Sequence, residues 1–230
     1  MKLLLFDLDQ TLVNTGGAGL RALSRACHKT LSIDNAMDGI TPHGKTDPAI
    51  VREILRVKKG NDSRLNSHLD SILESYISFL REEVEISQNY RVLPGICEIL
   101  DELSVRPDVM FGLATGNIEA GARIKLQRGD LNRYFAFGGY GSDSESRIEL
   151  VRCAAAKAVE NSAREIRPDD VFVIGDTPLD IDAGRKAGFN TVGVGTGSYS
   201  VEQLLEAGAT FAISDFQQGR DHFLRSTFFG

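Results

Sequence analysis

Sulfur is scarce in this sequence of 230 residues. Its three cysteines, Cys27, Cys97 and Cys153, are far apart and odd in number. They fit neither a disulfide framework nor a zinc-ligand spacing, and imply free thiols in a reducing compartment. Positive charge is also in short supply. Twenty-six Lys and Arg against 32 Asp and Glu leave a net charge of −6, and there is no basic run and no interleaving of basic with aromatic residues. That balance argues against nucleic acid as the main partner. No stretch approaches the roughly 20 apolar residues of a membrane span, and the apolar run after Lys2 meets charge at Asp7, too soon for a secretory leader. The expectation is a cytoplasmic protein with no membrane partner. Internal repeats and low-complexity segments are absent as well. A hydrophobic content of 42% and a charged content of 25% are ordinary globular values, and the length suits one large domain or two small ones.

Apolar runs that read as strands are Leu3–Phe6, Val109–Ala114, Phe135–Phe137, Val171–Ile174, Thr191–Val194 and Phe211–Ile213. Helix-period segments lie between them. Ile96, Ile99, Leu100 and Leu103 share one face, as do Ile148, Val151, Ala155, Ala158 and Val159, while Gly188 stands where a helix following Ile181 would end. This alternation predicts an α/β fold: a Rossmann-like, mostly parallel sheet with helices on both faces. One region breaks the rhythm. From about Asn14 to Gln88 the pattern is helical, through Leu20, Leu23, Ala26 and Cys27, then Ile50, Ile54 and Leu55, then Leu69, Ile72, Leu73, Tyr76, Phe79 and Leu80, before Pro94-Gly95 marks the return. The expected organisation is a catalytic core of residues 1–13 and 89–230, with residues 14–88 inserted as an α-helical cap.

Three of the strands end in residues suited to chemistry. The first runs into Asp7-Leu8-Asp9-Gln10-Thr11, delivering two carboxylates to the sheet edge where ligands of open α/β sheets bind. The fourth ends Gly175-Asp176-Thr177-Pro178-Leu179-Asp180, with Thr177 as N-cap and Pro178 as the first helical residue. Asp180 is then either a site residue or the partner of Thr177 in a capping box, and Asp182 favours the helix start by charge. If these strands are neighbours, Asp7, Asp9, Asp176 and Asp180 meet, and like charges so placed disfavour one another's ionised forms. Mg²⁺, a hard cation that takes carboxylates, waters and phosphate oxygens, is the natural counter-ion. The second strand ends Thr115-Gly116-Asn117. The Thr115 hydroxyl and the N–H groups of Gly116 and Asn117 make a candidate phosphate site at a helix N-terminus, although the same string is also an ordinary strand-to-helix turn.

Asp7-x-Asp9-x-Thr11, Thr115 and Gly175-Asp176-x-x-x-Asp180, in that order, resemble the haloacid dehalogenase superfamily, and the helical insertion resembles the cap of its phosphoglycolate phosphatase and phosphoglucomutase subgroup. The resemblance implies a Mg²⁺-dependent phosphatase acting on a small phosphorylated metabolite through an aspartyl phosphate. Asp7 would be the nucleophile. Asp9 would be general acid and then base, with its backbone carbonyl toward the metal. Asp176 would ligate the metal directly, and Asp180 would orient a metal-bound water. A phosphomutase is the rival within the fold. A non-catalytic phospho-ligand-binding or regulatory protein is the rival outside it. A dehalogenase or phosphonate hydrolase would lack the second aspartate.

One part departs from the family's pattern. Where a lysine is usual before the last acidic strand, this chain reads Ser144-Glu145-Ser146-Arg147-Ile148-Glu149. Ser146-x-x-Glu149 resembles a capping box, which would make Arg147 the first helical residue and leave it the catalytic cation, although its geometry is not a lysine's. In the cap, Thr41-Pro42-His43-Gly44-Lys45-Thr46-Asp47 resembles the family's specificity loop. Gly44 and Lys45 are its candidate substrate contacts, and the alternative is a solvated lysine before an ordinary helix start. Gly193-Val194-Gly195-Thr196-Gly197 has the wrong spacing for a dinucleotide fingerprint. The oligomeric expectation is a monomer or homodimer.

Overall fold

The structure, a computed structural model, describes residues 1–60, 67–162 and 164–229. Its strands are β1 (Lys2–Phe6), β2 (Val13–Asn14), β3 (Arg91–Val92), β4 (Val109–Thr115), β5 (Gly138–Tyr140), β6 (Val171–Gly175), β7 (Asn190–Val194) and β8 (Phe211–Ile213). Its α-helices are α1 (Ala18–Leu31), α2 (Asp47–Lys59), α3 (Leu69–Ile86), α4 (Ile96–Ser104), α5 (Glu119–Gln127), α6 (Arg147–Ser162), α7 (Pro178–Ala187), α8 (Val201–Glu206) and α9 (Arg220–Phe228). Six strands form one sheet in the order β5-β4-β1-β6-β7-β8, every neighbouring pair parallel.

Strand β1 is central and fully apolar because both of its faces are covered. Leu4 and Phe6 enter a cluster with residues of α4, α5 and α9, whereas Leu3 and Leu5 enter another with residues of α6 and α7. The two-residue period of a strand divides the run between two cores. Register does the rest. Phe6 stands opposite Leu113 on one side and Ile174 on the other, so the chain leaves the sheet at Asp7, Thr115 and Asp176 along one edge.

The strand expected at Phe135–Phe137 forms instead at Gly138–Tyr140. Phe135 is a core residue, its ring centroid 5.9 Å from that of Phe6 and 6.3 Å from that of Phe111. The glycines take the strand because α6 lies against it: a Cβ at Gly139 would fall 1.9 Å from the Leu150 carbonyl oxygen. Strand propensity was overridden by close packing, which only residues without side chains permit.

Helices α1, α2 and α3 enclose a further apolar cluster, reaching from Ala18 to Val84 and joined by Ile118 at the start of α5. Arg21 and Arg25 of α1 clamp Glu83 of α3 at 2.7 and 3.0 Å. The chain enters and leaves this helical unit side by side, through an antiparallel pair of Val13 with Val92 and Asn14 with Arg91. These two-residue strands are too short to carry a periodic signal.

Gly95 starts α4 with φ 79°, and a Cβ there would lie 2.3 Å from the backbone of Phe216 and Gln217. Left-handed strain and backbone collision act together. Gly95→Ala should cost about 2 kcal/mol or more, a fall in Tm of at least about 4 °C for a chain of this size. Thermal denaturation followed by circular dichroism checks it; an unchanged Tm would show that the Phe216 segment yields freely.

Candidate active site

At the carboxyl edge of the sheet, carboxylate oxygens of Asp7, Asp176 and Asp180 all lie within 4.8 Å of one another, and all three residues are buried. Each is held by its local structure. The Asp7 N–H donates to the Ile174 carbonyl at 2.8 Å, stitching β1 to β6 just where the sheet ends. The Thr11 hydroxyl donates to Asp176 Oδ1 at 3.4 Å. Asp180 divides its oxygens. Oδ2 accepts from the Thr177 hydroxyl (2.6 Å) and the Thr177 N–H (3.1 Å), completing a capping box at the start of α7. Oδ1 meets the Arg147 guanidinium. The two readings of Asp180 are therefore compatible: one oxygen caps the helix and the other faces the cluster.

Arg147 begins α6. Its Nη2 bridges Asp180 Oδ1 and Asp7 Oδ1, the latter at 3.5 Å, with the side chain only 12% exposed. Thr115 ends β4 fully buried. Its oxygen accepts from the Asn117 N–H at 3.3 Å and from Asn117 Nδ2 at 2.9 Å. With both donors on the oxygen, the hydroxyl proton is left to Asp7, which it stabilises. Asp9 is in different company. Its Oδ2 accepts from Lys125 Nζ at 2.5 Å and from Asn117 Nδ2 at 2.9 Å, so its carboxylate stands outside the acidic cluster. Asp182 is a surface residue paired with Lys186.

The helix after β4 starts at Glu119, later than the Gly116–Asn117 turn. Two donors at its N-terminus are already engaged: the Ile118 N–H by Asp47 Oδ2 at 2.9 Å and the Glu119 N–H by Ser142 Oγ at 3.3 Å. Asp47 returns its own N–H to the Gly116 carbonyl at 2.8 Å. The loop before α2 is thus docked on the core. Gly44 (φ 71°) packs on Leu179 and Thr177, and a Cβ at Gly116 would fall 2.3 Å from the Lys45 carbonyl oxygen. The Lys45 ammonium pairs with Glu53 at 2.5 Å. Between loop and core lies a cavity of about 180 Å³, bounded by Asp7, Asp9, Thr115, Lys125, Arg147 and Asp176 and, on the helical side, by Leu20, Leu23, Ile50 and Tyr76.

A family model described as haloacid dehalogenase-like hydrolase matches residues 4–194. The chain belongs to that family. The match spans the helical unit and the sheet edge together, and makes the chain an enzyme of a hydrolase family. A curated relative from Clostridium perfringens, which carries the provisional pyrophosphatase name PpaX, is 23% identical over 222 residues, covering 93% of this chain and 92% of its own. Among solved structures, a hydrolase from Pseudomonas syringae superposes with a TM-score of 0.74 at 22% identity, over 97% of this chain and 98% of that one. A β-phosphoglucomutase from Clostridium difficile superposes with a TM-score of 0.73 at 21% identity, over 99% and 96%. The shared fold is a haloacid dehalogenase-like core with its helical insertion.

The electrostatics of this haloacid dehalogenase-like edge are dominated by burial. At the 4.8 Å spacing, two ionised carboxylates repel by roughly 3 kcal/mol even at an effective dielectric near 20. One guanidinium cannot balance three of them. Burial raises the Asp7 pKa, with Arg147 opposing and Asp9 adding to the rise. Burial and then the charge of Asp7 push Asp176 up to about 8. The donor set is all oxygen and carries excess negative charge, which fits a hard divalent cation. Asp47 is also pushed up, to about 6, by burial, with Lys125 opposing.

Lys125 and the side chain of Asn117 escaped sequence reasoning. A signal existed. Ile118, Gly121, Ala122 and Leu126 line the buried stripe of α5, and Lys125 falls on it, only 4% exposed. A lysine at a core position is rare unless paired. Asp47 gave no comparable signal, since its partner is a backbone N–H brought near only by the fold.

Because the folded-state pKa of Asp176 lies above the ordinary 3.8, the folded chain keeps a proton that the unfolded chain loses between pH 3.8 and about 8. Its contribution to stability therefore falls as pH rises across that window. In chelator, wild type should lose more Tm between pH 5 and 8 than Asp176→Asn, whose side chain cannot ionise. Parallel Tm–pH curves would contradict the assignment.

Proposed function

We propose that this enzyme is a Mg²⁺-dependent phosphatase acting on a small phosphorylated metabolite through an aspartyl phosphate on Asp7. The observation that carries the reading is the convergence of Asp7, Asp176, Arg147 and Thr115 on one cavity, with Asp180 set behind them against Arg147. Asp7 and Asp176 would hold the cation by carboxylate, Asp9 by its backbone carbonyl and Asp180 through water. The cation supplies neutralisation of the phosphate and of the incoming carboxylate, whose mutual repulsion otherwise opposes attack.

The chain's own groups do the rest. Thr115, Gly116, Asn117 and Arg147 border the site; Gly116 would offer its N–H and Arg147 its guanidinium to the phosphoryl oxygens, where charge must be balanced during transfer, and Thr115 and Asn117 would do so by exchanging the partners they hold here. Thr115 and Arg147 also hold Asp7 in line for attack on phosphorus. Asp9, one residue beyond Leu8 and outside the acidic cluster, gives a proton to the departing alkoxide and later takes one from the hydrolytic water. The helical unit is the cap. Its docked loop encloses the ester and excludes bulk water. Leu20, Leu23, Ile50 and Tyr76 would face the leaving portion, which points to a compact substrate body. The Lys45 ammonium, engaged by Glu53, would meet an anionic leaving group only by exchanging that partner. The shared fold with a phosphoglucomutase keeps phosphoryl return to product as the alternative outcome of the same chemistry.

The test is hydrolysis of p-nitrophenyl phosphate and of a panel of phosphorylated metabolites, with and without Mg²⁺. Turnover should require Mg²⁺ and vanish in Asp7→Asn. Absence of turnover throughout the panel would remove the phosphatase reading. Arg147→Ala should lower turnover at least about tenfold with the fold intact, since it removes both an oxygen-binding donor and the partner of Asp7. Wild-type turnover in that variant would take Arg147 out of the site.

A further inference from the structure

Lys125 has no role in the proposed phosphoryl transfer, yet its ammonium is withdrawn from water and set against the residue assigned to proton transfer. It projects from the buried stripe of α5 and reaches Asp9 across 116 positions of sequence. Gly19 of α1 roofs it: a Cβ there would stand 3.4 Å from Lys125 Nζ and 3.8 Å from the Tyr76 hydroxyl. Two donors, Lys125 Nζ and Asn117 Nδ2, end on the same oxygen of Asp9, Oδ2. Among the described residues, no hydrogen bond ends on Oδ1. The Asn117 amide turns its NH₂ group, a donor, to Asp9 Oδ2 and to the Thr115 oxygen. That leaves Asn117 Oδ1 buried in the cavity wall with no donor among the described residues.

We propose that Lys125, with Asn117, fixes Asp9 with Oδ2 bound and Oδ1 free, so that Oδ1 is the oxygen that exchanges the proton, and that Lys125 is thereby a positioning residue for leaving-group protonation. The proposal rests on the phosphatase reading above. An oxygen already facing an ammonium and an amide hydrogen has no room for a proton of its own, so a proton carried by Asp9 sits on Oδ1. In the first step the Asp7 carboxylate oxygen bonds to phosphorus as the ester P–O bond breaks, and the Oδ1 proton passes to the departing alkoxide. In the second, a water oxygen bonds to phosphorus as the P–O bond to Asp7 breaks, which frees the Asp7 carboxylate and phosphate, and the water's proton goes to Oδ1. A carboxyl group held by one edge turns less about its Cβ–Cγ bond, which keeps the free oxygen aimed at the ester through both steps.

Leaving-group dependence separates this role from a structural one. A p-nitrophenolate departs without being protonated, whereas an alkoxide does not. kcat/KM reports the transfer to Asp7 and not the later hydrolysis. For Lys125→Met, the ratio of kcat/KM on the best alkyl phosphate of the panel to kcat/KM on p-nitrophenyl phosphate should fall at least about tenfold, within the range that general acid catalysis supplies. Lys125→Arg, which keeps the charge and guards against misfolding of the first variant, should hold that ratio within about threefold of wild type. The double variant Lys125→Met/Asp9→Asn should lose no more on the alkyl substrate than Asp9→Asn alone, because the two residues act as one unit. Equal losses on both substrates, losses that multiply in the double variant, or a loss confined to substrates bearing a second anion would each overturn the proposal. A wild type active on both substrates with an unchanged ratio in Lys125→Met overturns this inference alone. A wild type inert on both with Mg²⁺ overturns the phosphatase reading and this inference with it.

Discussion

The register of β1 between β4 and β6 is the constraint on which the rest of the molecule turns. With Phe6 opposite both Leu113 and Ile174, β6 ends one residue and β4 two residues past the end of β1, so Asp7, Thr115 and Asp176 share one edge. A slip of one residue in either pairing would point Thr115 or Asp176 to the opposite face. The pairing is secured from both sides. Leu4 and Phe6 are locked into one core and Leu3 and Leu5 into another, so no shift of β1 can be made without exposing apolar surface. Hydrophobic burial of a strand that carries no chemistry thus sets carboxylate positions to within hydrogen-bonding precision.

Crowding negative charge at that edge sets up the second level of organisation. Arg147 answers part of it by touching Asp7 and Asp180 together. Asp180 gives its other oxygen to the cap of α7, and so is oriented by backbone. Asp9 is drawn off to a separate partner. The site therefore holds two kinds of carboxylate only two positions apart in sequence: a buried one in an acidic cluster, and one pinned by an ammonium. In the proposed reaction, that separation of environments would let Asp7 attack and Asp9 carry a proton. The helical unit completes the enclosure through backbone contacts at Gly44, Lys45 and Asp47, where glycines on both sides permit close approach.

Much of this was readable in the sequence because it is local. Apolar runs that stop at Asp7, Thr115 and Asp176 mark strand ends, Thr177-Pro178 marks a helix start, and the helical periodicity of the long insertion is unbroken by strand signals. The α/β fold with its parallel sheet follows from those patterns. What was not readable depends on residues distant in sequence. β5 forms on glycines because α6 presses against Gly139, and the bulky Phe135 that resembles a strand residue is spent in an aromatic cluster. The pair β2–β3 has no periodicity to detect. Asp47 looks like a helix's first acidic residue, and it is, but its carboxylate is turned to the Ile118 N–H of another element. Lys125 left a trace, a charge on an apolar stripe, which only a strict reading of α5 as a buried helix would reveal.

The central claim is that the acidic edge serves covalent phosphoryl transfer to Asp7. The most direct measurement is to mix enzyme, Mg²⁺ and a turned-over phosphate ester, quench in acid within the first turnovers, and weigh the peptide that contains Asp7. The account requires a phosphate-mass adduct on that peptide, dependent on Mg²⁺, labile to mild base and absent from Asp7→Asn. Undiminished turnover in Asp7→Asn, or turnover with the adduct on any other residue, would contradict it.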